Sequence, residues 1–320
     1  MVDALRIVFF GTPAFAVPTL DALLASPHQV VAVVTQPDRP RGRGQKTTDT
    51  PVKARASLAA LPILQPPALK DPGFVSALGN LHADLGVVAA YGKILTEEVL
   101  AMPRLGMVNV HASLLPRYRG AAPVHRAIIA GERETGVTIM RMVKALDAGP
   151  LLATVHRTIA PDDTSEDVEG ALAVLGAALL VSTLDGLAAG ALPEIPQDDS
   201  SATYAARLTR ADGMIDWAQG ATDVHNRIRG LHPWPHAHSF VNGERLILLR
   251  SALGDDAGAD PGNTTPGTIV CARGDDLRVA CGQGILRILQ LQAEGARPMS
   301  TREFLAGHRL SAGERLTSAP

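Results

Sequence analysis

Over the first 160 residues, short β-rich apolar runs alternate with segments of helical character, and no other feature constrains the fold as tightly. Leu5–Phe10 reads as a buried strand, followed by Gly11-Thr-Pro13 and a helix through about Ser26. Val30–Thr35, Asp84–Ala90, Met107–His111 and Gly136–Met140 read as further strands, separated by helical stretches around Pro51–Ala60, Thr96–Ala101 and Ala121–Ala130. Such alternation calls for a parallel sheet with helices on its faces. The ligand crevice is then expected beyond the carboxyl ends of the strands.

The rest of the chain has a different texture. Ser165–Ala189 is a long Ala/Leu-rich helical stretch, and Gly190–Ser201, with Pro193, Pro196 and an acidic run, reads as a linker. After Leu208, short strand candidates (His238–Val241, Leu246–Leu249, Thr268–Ala272, Leu277–Ala280, Ile285–Leu291) are spaced by Gly, Pro and Asp turns such as Asn242-Gly243. The expected division is a first domain over 1–189, a linker over 190–208 and a smaller, mostly β domain over 209–320. Apolar residues make up 46% of the 320 and charged ones 19%, which excludes intrinsic disorder. No uncharged stretch reaches the ~18–20 residues of a spanning helix, and no signal peptide, transit peptide or anchor is visible. The expectation is a soluble, cytoplasmic protein with no membrane partner. No unpaired amphipathic stripe is left over, so a monomer is expected.

Cys271 and Cys281 are the only cysteines, which excludes a disulfide scaffold and a Cys-rich zinc module. A hairpin turn at Arg273–Asp276 would not set them directly opposite each other, and two reduced thiols are expected. The net charge of −2 argues against a generic nucleic-acid binder. Its distribution says more. Between Asp38 and Arg55 there are six bases (Arg39, Arg41, Arg43, Lys46, Lys53, Arg55) against Asp38 and Asp49, whereas Thr158–Ala206 holds nine acids and no Lys or Arg. One concentrated basic segment in a mildly acidic chain suits either local contact with a polyanion or a solvated loop.

After the opening strand, Gly11–Ala16 has one glycine and a proline where a dinucleotide site needs three spaced glycines. Nucleophile-elbow, P-loop and H-E-x-x-H patterns are absent. His232, His236 and His238 cluster around Pro-Trp-Pro, an arrangement open to metal binding but more often serving turns and surfaces. The dense polar constellation is 108–123. Asn109 and His111 stand two apart on a strand, so both face the same way, at the carboxyl end where an open sheet places its site. Downstream, Asp147 lies in a Leu-Asp-Ala-Gly-Pro turn. These three suit acyl transfer without a covalent enzyme intermediate: an amide donating to a developing oxyanion, a histidine moving protons, a carboxylate orienting the imidazole. No metal is needed.

Asn109-x-His111, Ser113-Leu-Leu-Pro-Arg-Tyr-Arg-Gly120, Glu134-Thr-Gly-Val-Thr138 and Asp147-Ala-Gly resemble the 10-formyltetrahydrofolate-dependent formyltransferases. The likeness continues through Gly11–Ala16, Thr35–Pro40, Arg41-Gly-Arg-Gly44, Ala90-Tyr-Gly92, Asp216-Trp217 and Pro233-Trp-Pro235, over essentially the whole chain. Within that family it is closest to members that formylate methionyl initiator tRNA for translation initiation. The resemblance implies a Rossmann-like first domain and a small, OB-like second barrel that helps hold tRNA. It implies Asn109, His111 and Asp147 as the catalytic trio, and Ser113, Leu114, Leu115 and Pro116 as the segment contacting the folate cosubstrate. It also implies Tyr91 and Gly92 in the pterin pocket and an RNA-contacting loop carrying Arg41, Arg43 and Lys46. Tyr118 stands where tryptophan is common in the family.

Overall fold

A computed structural model describes residues 4–41, 46–254, 262 and 264–319. The chain forms two compact units: 1–123 with 134–157 and 169–205, and 124–133 with 158–168 and 206–320.

The first unit is built on a seven-stranded sheet. Its strands are β1 (Arg6–Gly11), β2 (Gln29–Val34), β5 (Ile63–Leu64), β6 (Leu85–Ala89), β7 (Met107–His111), β9 (Glu134–Arg141) and β10 (Leu151–Thr158), in the order β10-β9-β7-β6-β1-β2-β5. Ile7, Val8, Phe9 and Phe10 of β1 are wholly buried, as expected for a central strand covered on both faces. β1 pairs in parallel with both β2 and β6, and β6 with β7, so their carboxyl ends share one edge. Helices α1 (Val17–Ala25), α2 (Pro51–Leu58), α3 (Pro72–Gly79) and α4 (Glu97–Ala101) fill the crossovers. Three begin on a side-chain cap: Thr50 accepts from Lys53 N, Asp71 from Phe74 N and Thr96 from Val99 N, satisfying amides the first turn leaves open. The short α5 (Pro123–Ile129) follows the polar constellation, and α6 (Ser165–Ala188) is the long Ala/Leu-rich helix. Among the described residues α6 alone is long and apolar enough to cross a membrane. Leu172, Ala173, Ala177, Leu180 and Leu184 recur along it as a buried stripe, with Gly176 lying against Val110 and Val137 of the sheet.

The sheet departs from the all-parallel expectation at β9, which runs antiparallel to β7. An antiparallel edge on an otherwise parallel sheet leaves one strand half solvated. That explains why β10 escaped the sequence reading: its pattern is only half buried and includes His156 and Arg157. The basic segment forms a hairpin of β3 (Arg39–Arg41) and β4 (Lys46–Thr48), with Arg41 opposite Lys46. Residues 190–205, read from sequence as a linker, are built into this unit. Leu151 and Ile195 exchange backbone hydrogen bonds, and β11 (Tyr204–Ala205) pairs in parallel with β8 (Arg119–Gly120).

The second unit is a curled antiparallel sheet. It contains α7 (Ala221–Gly230), β12 (Ala237–Val241), β13 (Glu244–Leu253), β14 (Ile269–Arg273), β15 (Asp276–Ala280), β16 (Ile285–Ala293), β17 (Met299–Ser300) and α8 (Thr301–Gly307). Asn242 and Gly243, both at positive φ, make the two-residue turn between β12 and β13. The sheet order β12-β13-β16-β15-β14 leaves two edges, and residues 314–317 join them. Thr317 bonds Phe240 of β12, Glu314 O accepts from Ile269 N of β14, and Leu316 bonds Gly267 just before it. Closure of this kind removes free strand edges, and the small barrel expected from sequence is present. Trp217 is buried in this unit with its indole N–H on Ser239 Oγ at 3.0 Å. Both cysteines are free, and the Cys281 thiol is pushed up to about 12 by burial.

Candidate active site

β7 delivers the first two groups. Asn109 pairs with Val88 on one side and Met140 on the other, and His111 sits opposite Thr138. Ladder pairing on both flanks fixes the backbone at Asn109 and pairing with β9 fixes it at His111, and the two-residue period turns the side chains to one face. Both are largely buried. Among the described residues, no protein group engages the Asn109 amide, which leaves its N–H donors for a ligand.

His111 Nε2 lies 3.1 Å from the Tyr118 carbonyl. A carbonyl only accepts, so Nε2 carries the hydrogen in that contact. Nδ1 faces Asp147, whose Oδ2 is 3.8 Å away, an ion-pair rather than a hydrogen-bond separation. The same Oδ2 accepts from Gly120 N at 2.8 Å. Gly120 has φ +117, and a Cβ there would stand 2.8 Å from the Ala205 carbonyl, so no larger residue fits without a shift. Sequence reading placed Asp147 within plausible reach of His111. The fold brings His111 and Asp147 together, with Asn109 two residues away on the same face of β7.

The turn after β7 is held from within. Ser113 is fully buried and its hydroxyl donates to Arg117 O at 2.7 Å. Thr138 Oγ1 donates to Ser113 O at 2.7 Å and accepts from Leu115 N at 3.2 Å. The Ser113 side chain and much of the 113–116 backbone are thus committed to the turn: Leu114 O accepts from Arg117 N and Pro116 O from Thr203 N. Leu115–Pro116 is a cis peptide.

Tyr91 turns its side chain into the core. Its ring lies in the core with Phe10 edge-on at 5.4 Å, alongside Leu69, Phe74 and Leu95. Burial pushes its phenol up to about 12. Its carbonyl, at the carboxyl end of β6, accepts from Thr12 Oγ1 at 3.0 Å and from Gln36 Nε2 at 3.2 Å. Gly92 follows at φ +85, exposed, with nothing within 4 Å of a would-be Cβ.

Of the RNA-loop residues, Arg43 lies outside the described residues. Arg41 and Lys46 are described only as opposed backbone positions in the β3–β4 hairpin. The flanking charges are described and change the count made from sequence. Lys53 ion-pairs with Asp38, and with Asp49 at 2.9 Å; Arg55 ion-pairs with Asp21. Hydrogen bonds from Lys53 and Gln65 hold the Asp38 carboxyl below its usual range, and Asp38 and Asp49 raise the Lys53 ammonium. Two of the six bases are therefore committed to carboxylates.

Three features escaped sequence reading: Thr138, the buried Arg119, and Gln197. Arg119 donates from Nε and a terminal nitrogen to Gln197 Oε1 at 3.1 and 2.8 Å, and to Asp199 at 2.7 Å. Gln197 Nε2 donates to Asp147 O at 2.9 Å and Gly149 O at 2.7 Å. His232 and His236 have ring centroids 5.5 Å apart, yet the described residues contain no group of three metal-ligating side chains.

Comparison with known proteins follows this geometry. Residues 5–184 match the family model described as formyl transferase, and residues 207–309 match that described as formyl transferase, C-terminal domain. The methionyl-tRNA formyltransferase of Methylococcus capsulatus is 49% identical over 313 residues, covering 98% of this chain and 99% of that protein. The Trichlorobacter lovleyi enzyme of the same name is 48% identical, covering 96% of each. Among solved structures, a sugar 3N-formyl transferase determined with dTDP and 5-N-formyl-THF has a TM-score of 0.67 at 17% identity, covering 92% of this chain and 100% of that one. A Helicobacter canadensis N-formyltransferase complexed with folinic acid and dTDP-3-aminofucose gives 0.65 at 16% identity, with the same coverage. At that identity these structures speak for the fold, while the family models and full-length relatives speak for kinship: the chain belongs to the formyl transferase family.

Proposed function

We propose that this protein transfers the formyl group of 10-formyltetrahydrofolate to the α-amino group of methionyl initiator tRNA, preparing it for translation initiation. The observation carrying the chemistry is the meeting of Asn109, His111 and Asp147, with the Asn109 amide unengaged and His111 Nδ1 facing the carboxylate. The acceptor is inferred from the methionyl-tRNA formyltransferases that match the chain from end to end.

In this reading, the amine attacks the formyl carbon and the carbonyl electrons move onto oxygen, where the Asn109 amide donates to the developing charge. With its Nε2 hydrogen on the Tyr118 carbonyl, His111 takes the proton from the attacking nitrogen at Nδ1 and returns it to the folate nitrogen as the carbon–nitrogen bond breaks. Asp147 orients the imidazole and supports its charged form. Model α-amino groups have a pKa of about 8, so a usable fraction of acceptor is neutral near pH 7.

The donor's seat is taken to be the crevice beyond β1, β6 and β7. Open space beside Gly92 suits a flat heterocycle, with the 113–116 turn assigned to its edge. Exposed Ile94, Val143 and Leu146 supply apolar faces on two loops brought alongside by the Lys144–Glu97 ion pair, 3.0 Å. Arg41, Arg43 and Lys46 are assigned to tRNA phosphates, which guanidinium and ammonium groups neutralise, and the 209–320 barrel to a further tRNA contact. All three reacting groups come from one chain, which suits a cytoplasmic monomer. The test offers labelled 10-formyltetrahydrofolate with methionyl initiator tRNA and a nucleotide-linked amino sugar side by side. Label on the tRNA alone is the expected result. Label on the sugar overturns the acceptor and the role of the hairpin, and label on neither overturns the enzyme reading.

A further inference from the structure

We infer that Gln197 is a positioning residue for catalysis, holding the turn that presents Asp147 to His111; the inference rests on the catalytic reading of Asp147. The starting point is strain. Asp147 sits at φ +47, in the left-handed region that residues other than glycine rarely adopt. Tyr118, whose carbonyl bonds His111, is also left-handed at φ +60. Two such residues on either side of one imidazole need surroundings that over-determine them.

Residues 197–205 supply those surroundings. One amide nitrogen of Gln197 donates to the carbonyls of both Asp147 and Gly149, spanning the turn like a staple. Its oxygen is held by two donors of Arg119, so the amide cannot flip without losing all four contacts. Six residues later, Thr203 Oγ1 accepts from Tyr118 N at 2.8 Å and Thr203 O accepts from Arg119 N at 2.8 Å. A single segment thus grips both the Asp147 turn and the Tyr118–Gly120 stretch. It reads as a bare linker in sequence because neither Gln197 nor Thr203 belongs to a recognisable pattern.

The decisive variant is Gln197→Glu, which is nearly isosteric. It keeps an acceptor for Arg119 and loses the N–H donors to the Asp147 and Gly149 carbonyls. If Gln197 merely anchored the segment, Glu would serve as well as Gln, and better with an arginine beside it. If Gln197 positions Asp147, Glu fails as Ala does. The expected result is that Gln197→Glu and Gln197→Ala both lower kcat by about 10- to 100-fold, the range for small misplacements of catalytic groups. KM for folate and for tRNA should stay within about two-fold in the same variants. In an Asp147→Asn background, measured under single-turnover conditions, Gln197→Glu should cost less than about two-fold, because the group it positions is gone. Full activity in Gln197→Glu, or the same proportional loss in both backgrounds, overturns the inference. Near-normal turnover in Asp147→Asn alone overturns the underlying catalytic reading instead. Should Gln197→Ala fail to bind folate, the Gln197→Glu result decides the matter by itself.

Discussion

The three residues proposed for catalysis come from two regions that hold their side chains by different means. Asn109 and His111 ride on β7, an interior strand paired with β6 as far as Asn109 and with β9 through His111. Asp147 rides on a turn with a left-handed backbone and no sheet partner, and borrows its fixity from Gln197, Gly120 and, through Arg119, from Asp199. A strand presents functional groups with little help, because ladder bonds are local, regular and numerous. A turn needs side chains sent from elsewhere, so its precision depends on residues 27 and 50 positions away.

The largest effect is expected on the strand. His111→Ala should cost about 10²–10⁴ in kcat, and Asn109→Ala about 10²–10³ with folate affinity nearly intact. The measurements are steady-state formyl transfer and folate titration. Near-normal turnover in either variant would leave the strand without its assigned role. Thr138→Val probes the turn beneath that strand. It leaves the Leu115 N–H buried without its partner, at a cost of about 1–3 kcal/mol. Urea unfolding should register that loss, while kcat falls less than in Gln197→Glu. The opposite ranking would mean that the strand depends on its supports as heavily as the turn does.

Smaller effects are expected where a loop serves binding rather than chemistry. Lys53→Ala leaves Asp38 and Asp49 unneutralised at the feet of the β3–β4 hairpin. Ion pairs of this kind are weak and screened by salt, so KM for tRNA should rise about two- to five-fold, and less at high salt. Unchanged KM across a salt series would detach this ion-pair network from RNA binding. A final measurement keeps folding apart from catalysis. Burial, together with the Arg126 cation, lowers His125 to about 4 from 6.5. The folded state therefore binds fewer protons than the unfolded chain between those values. The stability His125 favours is full above about 6.5 and is lost as pH falls toward 4. Unfolding free energies across that window should decline, and His125→Gln should flatten part of the decline. An unaltered slope would assign the acid sensitivity elsewhere.

Much of this architecture was legible from local pattern. The buried run of β1 and the Asn242-Gly243 turn follow from residue chemistry within a few positions, whereas α3 (Pro72–Gly79) was not read from sequence. The two-residue strand β5, flanked by prolines, and the half-exposed β10 carried too weak a signal. The pairing of Asn109 with His111 was equally legible, since the strand period alone puts them on one face.

What sequence determined by itself was therefore everything governed by covalent geometry and short-range periodicity: alternating strands and helices, the change of texture past 208, and which side chains share a face. Tertiary structure alone decided the rest. It sent the Tyr91 ring into the core, joined Lys53 and Arg55 to carboxylates, and closed the barrel with residues 314–317. It also converted a stretch that reads as a linker into the support of Asp147. The physical reason is range. Dihedral preferences and side-chain period act over a few residues, while the packing that aims a carboxylate at an imidazole joins residues far apart in the chain and exists only once the sheet has formed.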